Sequence, residues 1–221
     1  MPPPRSPQRF IAAFFLRLIL AYAALMTAWP LVKSSYAAYH RGLGNRCFSS
    51  FGSSGVVKFE PAPKEDPVRD TIIRIEDRRT PGVELNLPIS ARYTAYMPTA
   101  FLTCLILATP LAWKRRLIAL AWGWTLVHLF IVLWLAISLL DEMSSPAAPL
   151  RVFQLTGMDK TILRFVATNV VDSVIATAYV APIFIWIIAA FRRQDREQIV
   201  RALLPQEMKP PVGSPPNQPN A

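Results

Sequence analysis

Four long runs of apolar residues constrain this chain more than any other feature of its sequence. They cover residues 10–32, 95–113, 117–140 and 165–191. Each is close to, or longer than, the roughly 20 residues that an α-helix needs to cross the hydrocarbon core of a bilayer. Charged residues make up only 17% of the 221 residues, whereas a soluble domain carries about 25%. The sequence therefore predicts an α-helical integral membrane protein with four transmembrane helices.

Basic residues at the ends of these runs predict the orientation. Arg5 and Arg9 precede the first run, residues 114–116 (KRR) separate the second from the third, and Arg192 and Arg193 follow the fourth. With four spans these places share one side, and the excess of Lys and Arg marks that side as cytoplasmic. Both termini are therefore predicted to be cytoplasmic. The net charge of +10 gathers at run ends rather than on one face, so the bilayer is the expected partner and nucleic acid is not.

The segment between the first two runs is predicted to be an extracytoplasmic α/β segment. Residues 55–61 (GVVKFEP), 71–77 (TIIRIED) and 83–89 (VELNLPI) read as two or three short strands, because apolar and polar residues alternate in them. A sheet of this size is marginally stable alone. We expect either the helical-looking residues 36–52 or the membrane surface to cover it.

Prolines and composition complete the predicted division of the chain. Pro98 falls in the first turn of the second predicted helix, where its missing N–H does no harm. Pro110 and Pro182 lie inside the second and fourth runs and predict kinks.

The predicted order is a disordered cytoplasmic tail (1–9), span one (10–32), the α/β segment (33–94), span two (95–113), span three (117–140), an extracytoplasmic loop (141–164), span four (165–191), a cytoplasmic helix (192–204) and a disordered proline-rich tail (205–221).

A candidate polar site lies within the predicted spans. Asn169 and Asp172 are three residues apart and share one helical face. A carboxylate inside a membrane is costly and marks a functional hypothesis. At 1.5 Å per residue, Asp172 lies within about one turn of the depth of His128. Two interpretations are open, a proton or solute pathway and a structural hydrogen bond across the bundle.

Cys104 and His128 also raise the hypothesis of a cysteine-dependent membrane hydrolase. Such a site needs an orienting or oxyanion-binding group as well, and no further motif supplies one. Cys47 and Cys104 fit neither a disulfide framework nor a zinc site. No catalytic residue, metal site or cofactor is predicted, and enzymatic activity stays open.

Aromatic residues at the ends of the runs are candidate interface anchors. Tyr93 and Tyr96 lie where the outer segment meets span two, and Trp113 and Trp186 lie towards the inner ends of spans two and four. Tyr and Trp concentrate at both membrane–water interfaces. We predict that these four side chains fix the depth of the helices.

The residues NLPISARYTAYMPTAFLTCLILATPLAWKRRLIALAWG and APIFIWIIAAFRR resemble the exosortase H-associated membrane proteins of the bacterial inner membrane. The resemblance implies a non-catalytic accessory that acts beside an exosortase, a transpeptidase-like sorting enzyme, in surface-protein or exopolysaccharide export. The exosortases use a Cys, an Arg and a His in motifs of their own, and no such motif surrounds Cys104 or His128. The alternatives are a small transporter or channel subunit that uses Asp172 and His128, and the hydrolase.

Overall fold

The structure is a computed structural model that describes residues 7–50, 55–63, 68–79, 82–144, 157–166, 168 and 175–191. The predicted carboxy-terminal tail and residues 1–6 of the predicted amino-terminal tail lie outside these residues, whereas residues 7–9, predicted to be disordered, belong to the first helix. Met1–Ala190 form one compact unit, and Phe191–Ala221 form a second, of which only Phe191 is described. In chain order the elements are α1 (Pro7–Thr27), α2 (Trp29–Phe48), β1 (Gly55–Pro61), β2 (Thr71–Asp77), β3 (Glu84–Ile89), a π-helical segment (Arg92–Tyr96), α3 (Met97–Ala108), α4 (Trp113–Ser144), α5 (Met158–Val166), a second π-helical segment (Ala176–Val180) and α6 (Ala181–Ala190).

The fold class is confirmed in its coarser form, a mostly helical protein with one small sheet. Among the described residues, α4 alone is long and apolar enough by itself to cross a membrane. α1 and α2 meet that criterion only as a pair, and the pair is bent by 73°. Thr177–Ala190 is apolar but shorter. The number of spans and their orientation stay predictions.

The first apolar run does not form one straight helix. α1 ends at Thr27, and α2 begins at Trp29 with Pro30 in its first turn. A proline inside a helix has no N–H to donate and its ring clashes with the carbonyl four residues earlier. The chain therefore turns at Ala28, and the apolar residues up to position 32 belong to α2 rather than to the predicted span.

The three predicted strands are confirmed, with β3 starting one residue later than the alternation suggested. They form an antiparallel sheet in the order β1-β2-β3, with Val57 opposite Ile75 and Ile73 opposite Leu87. One face of the first two strands is buried, and the other is charged. The predicted helical cover is present as well, because α2 packs against β1.

Both edges of the sheet are protected. On the β1 side, the Asn45 side chain forms the two hydrogen bonds with the Phe59 backbone that a neighbouring strand would form. Its Nδ2 donates to Phe59 O at 3.1 Å, and its Oδ1 accepts from Phe59 N at 2.7 Å. On the β3 side, Pro88 lacks an N–H, which confines proline to the open edge of a sheet. An unpaired edge invites pairing with other chains, and these two devices reduce that risk.

The core of the sheet continues into the helices without a break. Ile73 and Ile75 belong to the same buried cluster as Leu135, Leu139 and Met143 of α4. A helix of 32 residues is about 48 Å long, whereas the hydrocarbon core is about 30 Å thick. α4 is therefore long enough to cross a membrane and extend beyond it with its last turns, which carry Leu135, Leu139 and Met143 of this cluster.

The predicted turn between spans two and three is displaced. α3 ends at Ala108, and Thr109 has extended geometry (φ −69°, ψ 132°) because a residue that precedes a proline disfavours the α conformation. Pro110 therefore ends the helix, and the predicted kink there is wrong. The link runs through residues 109–112, and the KRR residues lie in the first turn of α4 instead of in a turn of their own.

Two prolines follow π-helical segments. Pro98 comes two residues after Arg92–Tyr96, and Pro182 comes two residues after Ala176–Val180. A local π turn is one of the adjustments by which a membrane helix satisfies the backbone groups that a proline disturbs. Pro98 lies in the first turn of α3, as predicted. Pro182 is accommodated by the wider turn before it.

α3 and α4 approach closely at Gly123. A Cβ atom added there would lie 2.9 Å from Ile106 Cδ1 and 3.3 Å from Leu102 Cδ2. Small residues at helix contacts let backbones come together and increase van der Waals packing, which drives helix association in membranes. Gly123 therefore sets the spacing between these two helices.

Candidate functional site

The most constrained part of the described structure is the outer junction, which we define by His40, Gly44 and Asn45 of α2, Phe59 of β1 and Asp70 before β2. The Phe59 ring packs edge-on against His40 (centroids 6.4 Å apart) and stacks on Phe48 (6.2 Å). Gly44 leaves no room for a side chain against that ring. The outer junction therefore fixes the sheet to α2.

His40 is a buried imidazole with no hydrogen bond to a described residue. It is 1% exposed, and neither Nδ1 nor Nε2 has a partner among the described residues. Burial lowers the pKa of His40 from 6.5 to about 4, against the weaker opposite influence of Asp70. Burial disfavours the charged form because a low-dielectric site replaces its hydration. His40 is therefore neutral at pH 7.

Asp70 fastens the sheet to the start of the helical region that follows it. Its Oδ1 accepts hydrogen bonds from Thr71 Oγ1 at 2.9 Å and from Ala91 N at 3.0 Å. Its backbone O accepts from Ala62 N at 3.2 Å and from Arg41 Nη1 at 3.3 Å. One residue thus connects α2, the first two strands and the segment that leads into α3.

An aromatic cluster of Trp29, Tyr36 and Tyr96 lies at the α1–α2 bend. The rings of Trp29 and Tyr96 are 4.7 Å apart, and those of Tyr36 and Tyr96 are 5.2 Å apart. Tyr96 Oη donates to Leu25 O at 2.5 Å, and Tyr36 Oη donates to Thr99 Oγ1 at 3.3 Å. These contacts hold α1, α2 and α3 in a fixed arrangement.

The outward face of the sheet carries a ladder of charges. Lys58 Nζ lies 3.5 Å from Glu76 Oε1, and Arg74 lies 3.4 Å from Glu60 Oε2 and 3.6 Å from Glu84 Oε2. All five side chains are about one-third to one-half exposed. Exposed ion pairs contribute roughly 0–1 kcal/mol each to stability. This face is therefore a surface available to a partner rather than a requirement of the fold.

The predicted polar site is described only in part. Asn169 and Asp172 lie outside the described residues, so their pairing with His128 stays a prediction. His128 Nδ1 lies 2.7 Å from Trp124 O of its own helix, and its ring lies edge-on to Tyr39, with centroids 5.7 Å apart. The contact with Tyr39 connects α4 to α2.

The structure places Cys104 in the interior of the bundle. Its side chain has no exposed surface on α3, whereas Cys47 is exposed on α2. A reactive cysteine occupies a partly exposed, electropositive place, and Cys104 has the surroundings of a core residue. His128 contacts Trp124 and Tyr39, as described above, and neither of these contacts involves Cys104.

The four candidate anchors occupy different surroundings. Trp113 is 64% exposed with the Arg116 guanidinium 5.5 Å from its ring, and Tyr93 is 41% exposed. Tyr96 is 8% exposed and belongs to the aromatic cluster. Trp186 is half-buried, and its Nε1 donates to Thr109 Oγ1 at 2.9 Å. Anchoring by Trp113 and Tyr93 stays a prediction, while the other two rings connect helices within the protein.

Comparison with known proteins identifies the family. The family model described as exosortase H-associated membrane protein matches residues 8–193. The chain belongs to this family. The match runs from α1 through α6 and includes the sheet and the outer junction. Neither the curated proteins nor the solved structures gave a match.

Sequence reasoning missed the residues that build the outer junction. His40 and Asn45 lie in a stretch whose alternation of small, polar and aromatic residues indicates only a helix. The two glycines at positions 42 and 44 were a usable signal, because glycine inside a helix costs about 1 kcal/mol and requires a reason. For Gly44 the reason is the Phe59 ring.

Proposed function

We propose that this protein is a non-catalytic accessory of the bacterial inner membrane that binds an exosortase-type sorting enzyme. The observation that carries the proposal is the match of residues 8–193 to the exosortase H-associated family. The family name supports association with an exosortase. In this role, the protein assists the exosortase in surface-protein sorting or exopolysaccharide export.

The outward face of the sheet is the proposed contact with the enzyme. Lys58, Arg74 and Asn86 form one row across the three strands, because Lys58 pairs with Arg74 and Arg74 pairs with Asn86. Their side chains point away from the buried face of the sheet. A partner can therefore engage this row without disturbing the core.

Replacing this row is expected to abolish co-purification of the exosortase. We expect the variant Lys58→Ala/Arg74→Ala/Asn86→Ala to recover at least about tenfold less enzyme than the wild type, since central interface residues contribute about 2 kcal/mol or more. The measurement is recovery of the co-expressed exosortase with the tagged protein from solubilised membranes, normalised to the amount of tagged protein.

A matched triple variant at the exposed end of α2, Arg46→Ala/Ser49→Ala/Ser50→Ala, serves as the control and should recover the enzyme normally. The proposed contact is rejected if both triple variants recover as much enzyme as the wild type while their membrane levels are normal.

The proposed topology has four spans, with the sheet outside and both termini in the cytoplasm. In a Cys47→Ser/Cys104→Ser background, we expect Asn86→Cys to react with a membrane-impermeant maleimide in intact cells with a permeabilised outer membrane. Ala112→Cys, in the α3–α4 link, should react only after lysis. Both positions are exposed, so reactivity reports the compartment. Equal labelling of both in intact cells would disprove the orientation.

A further inference from the structure

A groove with two cationic residues opens beside the α1–α2 bend. It has a volume of about 290 Å³ and is lined by Pro30, Lys33, Ser34, Ala37, Arg41 and Asp70. Lys33, Ala37 and Arg41 are spaced by four residues, which places them on one side of α2. Ala37 between the two cations is 3% exposed and forms the floor of the groove.

The charges of the groove favour an anion. The sequence of α2 contains Lys33, Arg41 and Arg46 and no Asp or Glu. Asp70 is the one acidic residue of the lining, against two cations. Its Oδ1 accepts two hydrogen bonds, and its Oδ2 is buried without a partner among the described residues. The Arg41 Nη1 donation to Asp70 O, at 3.3 Å, fixes the position of the guanidinium at the groove.

Exposed apolar residues lie on both helices that meet at the bend. Leu31 and Val32, directly before Lys33, are 86% and 37% exposed. On α1, which leads up to the bend, Ile19 and Leu20 are 63% and 61% exposed. A ligand that fits both features has an anionic head and apolar chains. The bend of 73° turns α2 away from the direction of α1.

We propose that this groove binds the phosphate of an anionic membrane lipid. Lys33 and Arg41 contact the phosphate oxygens, and the acyl chains lie along the exposed apolar surface of α1. The binding rests on the proposed placement of α1 in the membrane, but it does not depend on an exosortase. Basic pockets between membrane helices bind anionic lipid head groups by the same attraction of charges.

The test compares lipids on the purified full-length protein without exosortase. Native mass spectrometry measures the affinity for phosphatidylglycerol and for phosphatidylcholine with the same acyl chains. We expect the wild type to prefer phosphatidylglycerol. In the double variant Lys33→Gln/Arg41→Gln, the ratio of the affinity for phosphatidylglycerol to that for phosphatidylcholine should be about 25-fold lower, since each cation near an anionic head group contributes about a fivefold factor.

Three further measurements make the result decisive. Arg46→Gln removes an exposed cation of α2 outside the groove and should keep the preference. Lys33→Arg/Arg41→Lys keeps both charges and should also keep it, which separates loss of charge from loss of fold. Equal lipid preference in the wild type and the Lys33→Gln/Arg41→Gln variant would overturn the proposal. Displacement of the lipid by inorganic phosphate as readily as by soluble short-chain phosphatidylglycerol would overturn the lipid assignment in favour of free phosphate.

Because exosortase is absent from this assay, its result is independent of the co-purification experiment. A protein that binds the enzyme without lipid preference overturns only the lipid site, and a lipid-selective protein that recovers no enzyme overturns only the accessory role.

Discussion

Gly44→Ala is expected to destabilise the outer junction by about 2 kcal/mol, within the range of roughly 1–3 kcal/mol for overpacking. An added Cβ would lie 2.7 Å from three atoms of the Phe59 ring. The ring cannot move aside easily, because it stacks on Phe48 and because Asn45 hydrogen-bonds both the N–H and the C=O of the Phe59 backbone. Either α2 or β1 must shift.

Gly42 provides a matched control two residues away. No atom lies within 4 Å of a Cβ added there, so Gly42→Ala should stabilise α2 by about 0.5–1 kcal/mol through the better helix propensity of alanine. Hydrogen exchange of the β1 amides in detergent micelles measures both effects, and exchange should be faster in Gly44→Ala and unchanged or slower in Gly42→Ala. Equal exchange in the two variants would contradict the role assigned to Phe59.

The stability of the outer junction is expected to fall as the pH falls from 6.5 to 4. The pKa of His40 is about 4 in the folded protein and 6.5 in the unfolded chain, so the unfolded state binds more protons in this window. The full contribution is therefore present above pH 6.5 and is lost on acidification. The difference of 2.5 pH units corresponds to about 3 kcal/mol.

His40→Leu tests the assignment, because it removes the titrating ring and keeps an apolar side chain in the site. Hydrogen exchange of the β1 and β2 amides, measured at several pH values and corrected for the intrinsic exchange rate, should show a pH-dependent stability in the wild type and a much flatter profile in the variant. The nearby charged or titratable groups are Asp70, Arg41 and His128, and all three stay in place. An unchanged pH profile in His40→Leu would assign the effect to one of them.

Local patterns predicted the sheet well because its signal is local. Ile73 and Ile75 alternate with Arg74 and Glu76, and this period of two appears directly as a buried and a partly exposed face. The helix ends were predicted less well. An apolar run indicates only that its residues prefer lipid or the protein core, and it does not indicate where a helix ends. The helix ends are set by Pro30 and Pro110, at which the backbone turns.

The candidate site was harder to predict than the fold, because it depends on contacts between distant positions. Asn45 and Phe59 are 14 residues apart, and Asp70 and Ala91 are 21 residues apart. Nothing in the neighbourhood of Asn45 indicates that its amide completes the edge of a strand. The groove beside Lys33 likewise depends on the bend at Ala28. This bend was not predicted, because the apolar run continues through Ala28 without a break.

The buried cluster shared by the sheet and α4 has a consequence for biogenesis. β1, β2 and β3 leave the ribosome before Leu135, Leu139 and Met143, which belong to the same buried cluster as Ile73 and Ile75 of the sheet. In the proposed topology, the strands therefore stay outside the bilayer without this part of their buried cluster until α4 is synthesised and inserted. During this interval the nascent chain is vulnerable to proteolysis and aggregation, so a delay in inserting α4 endangers the sheet even though every strand has already been synthesised.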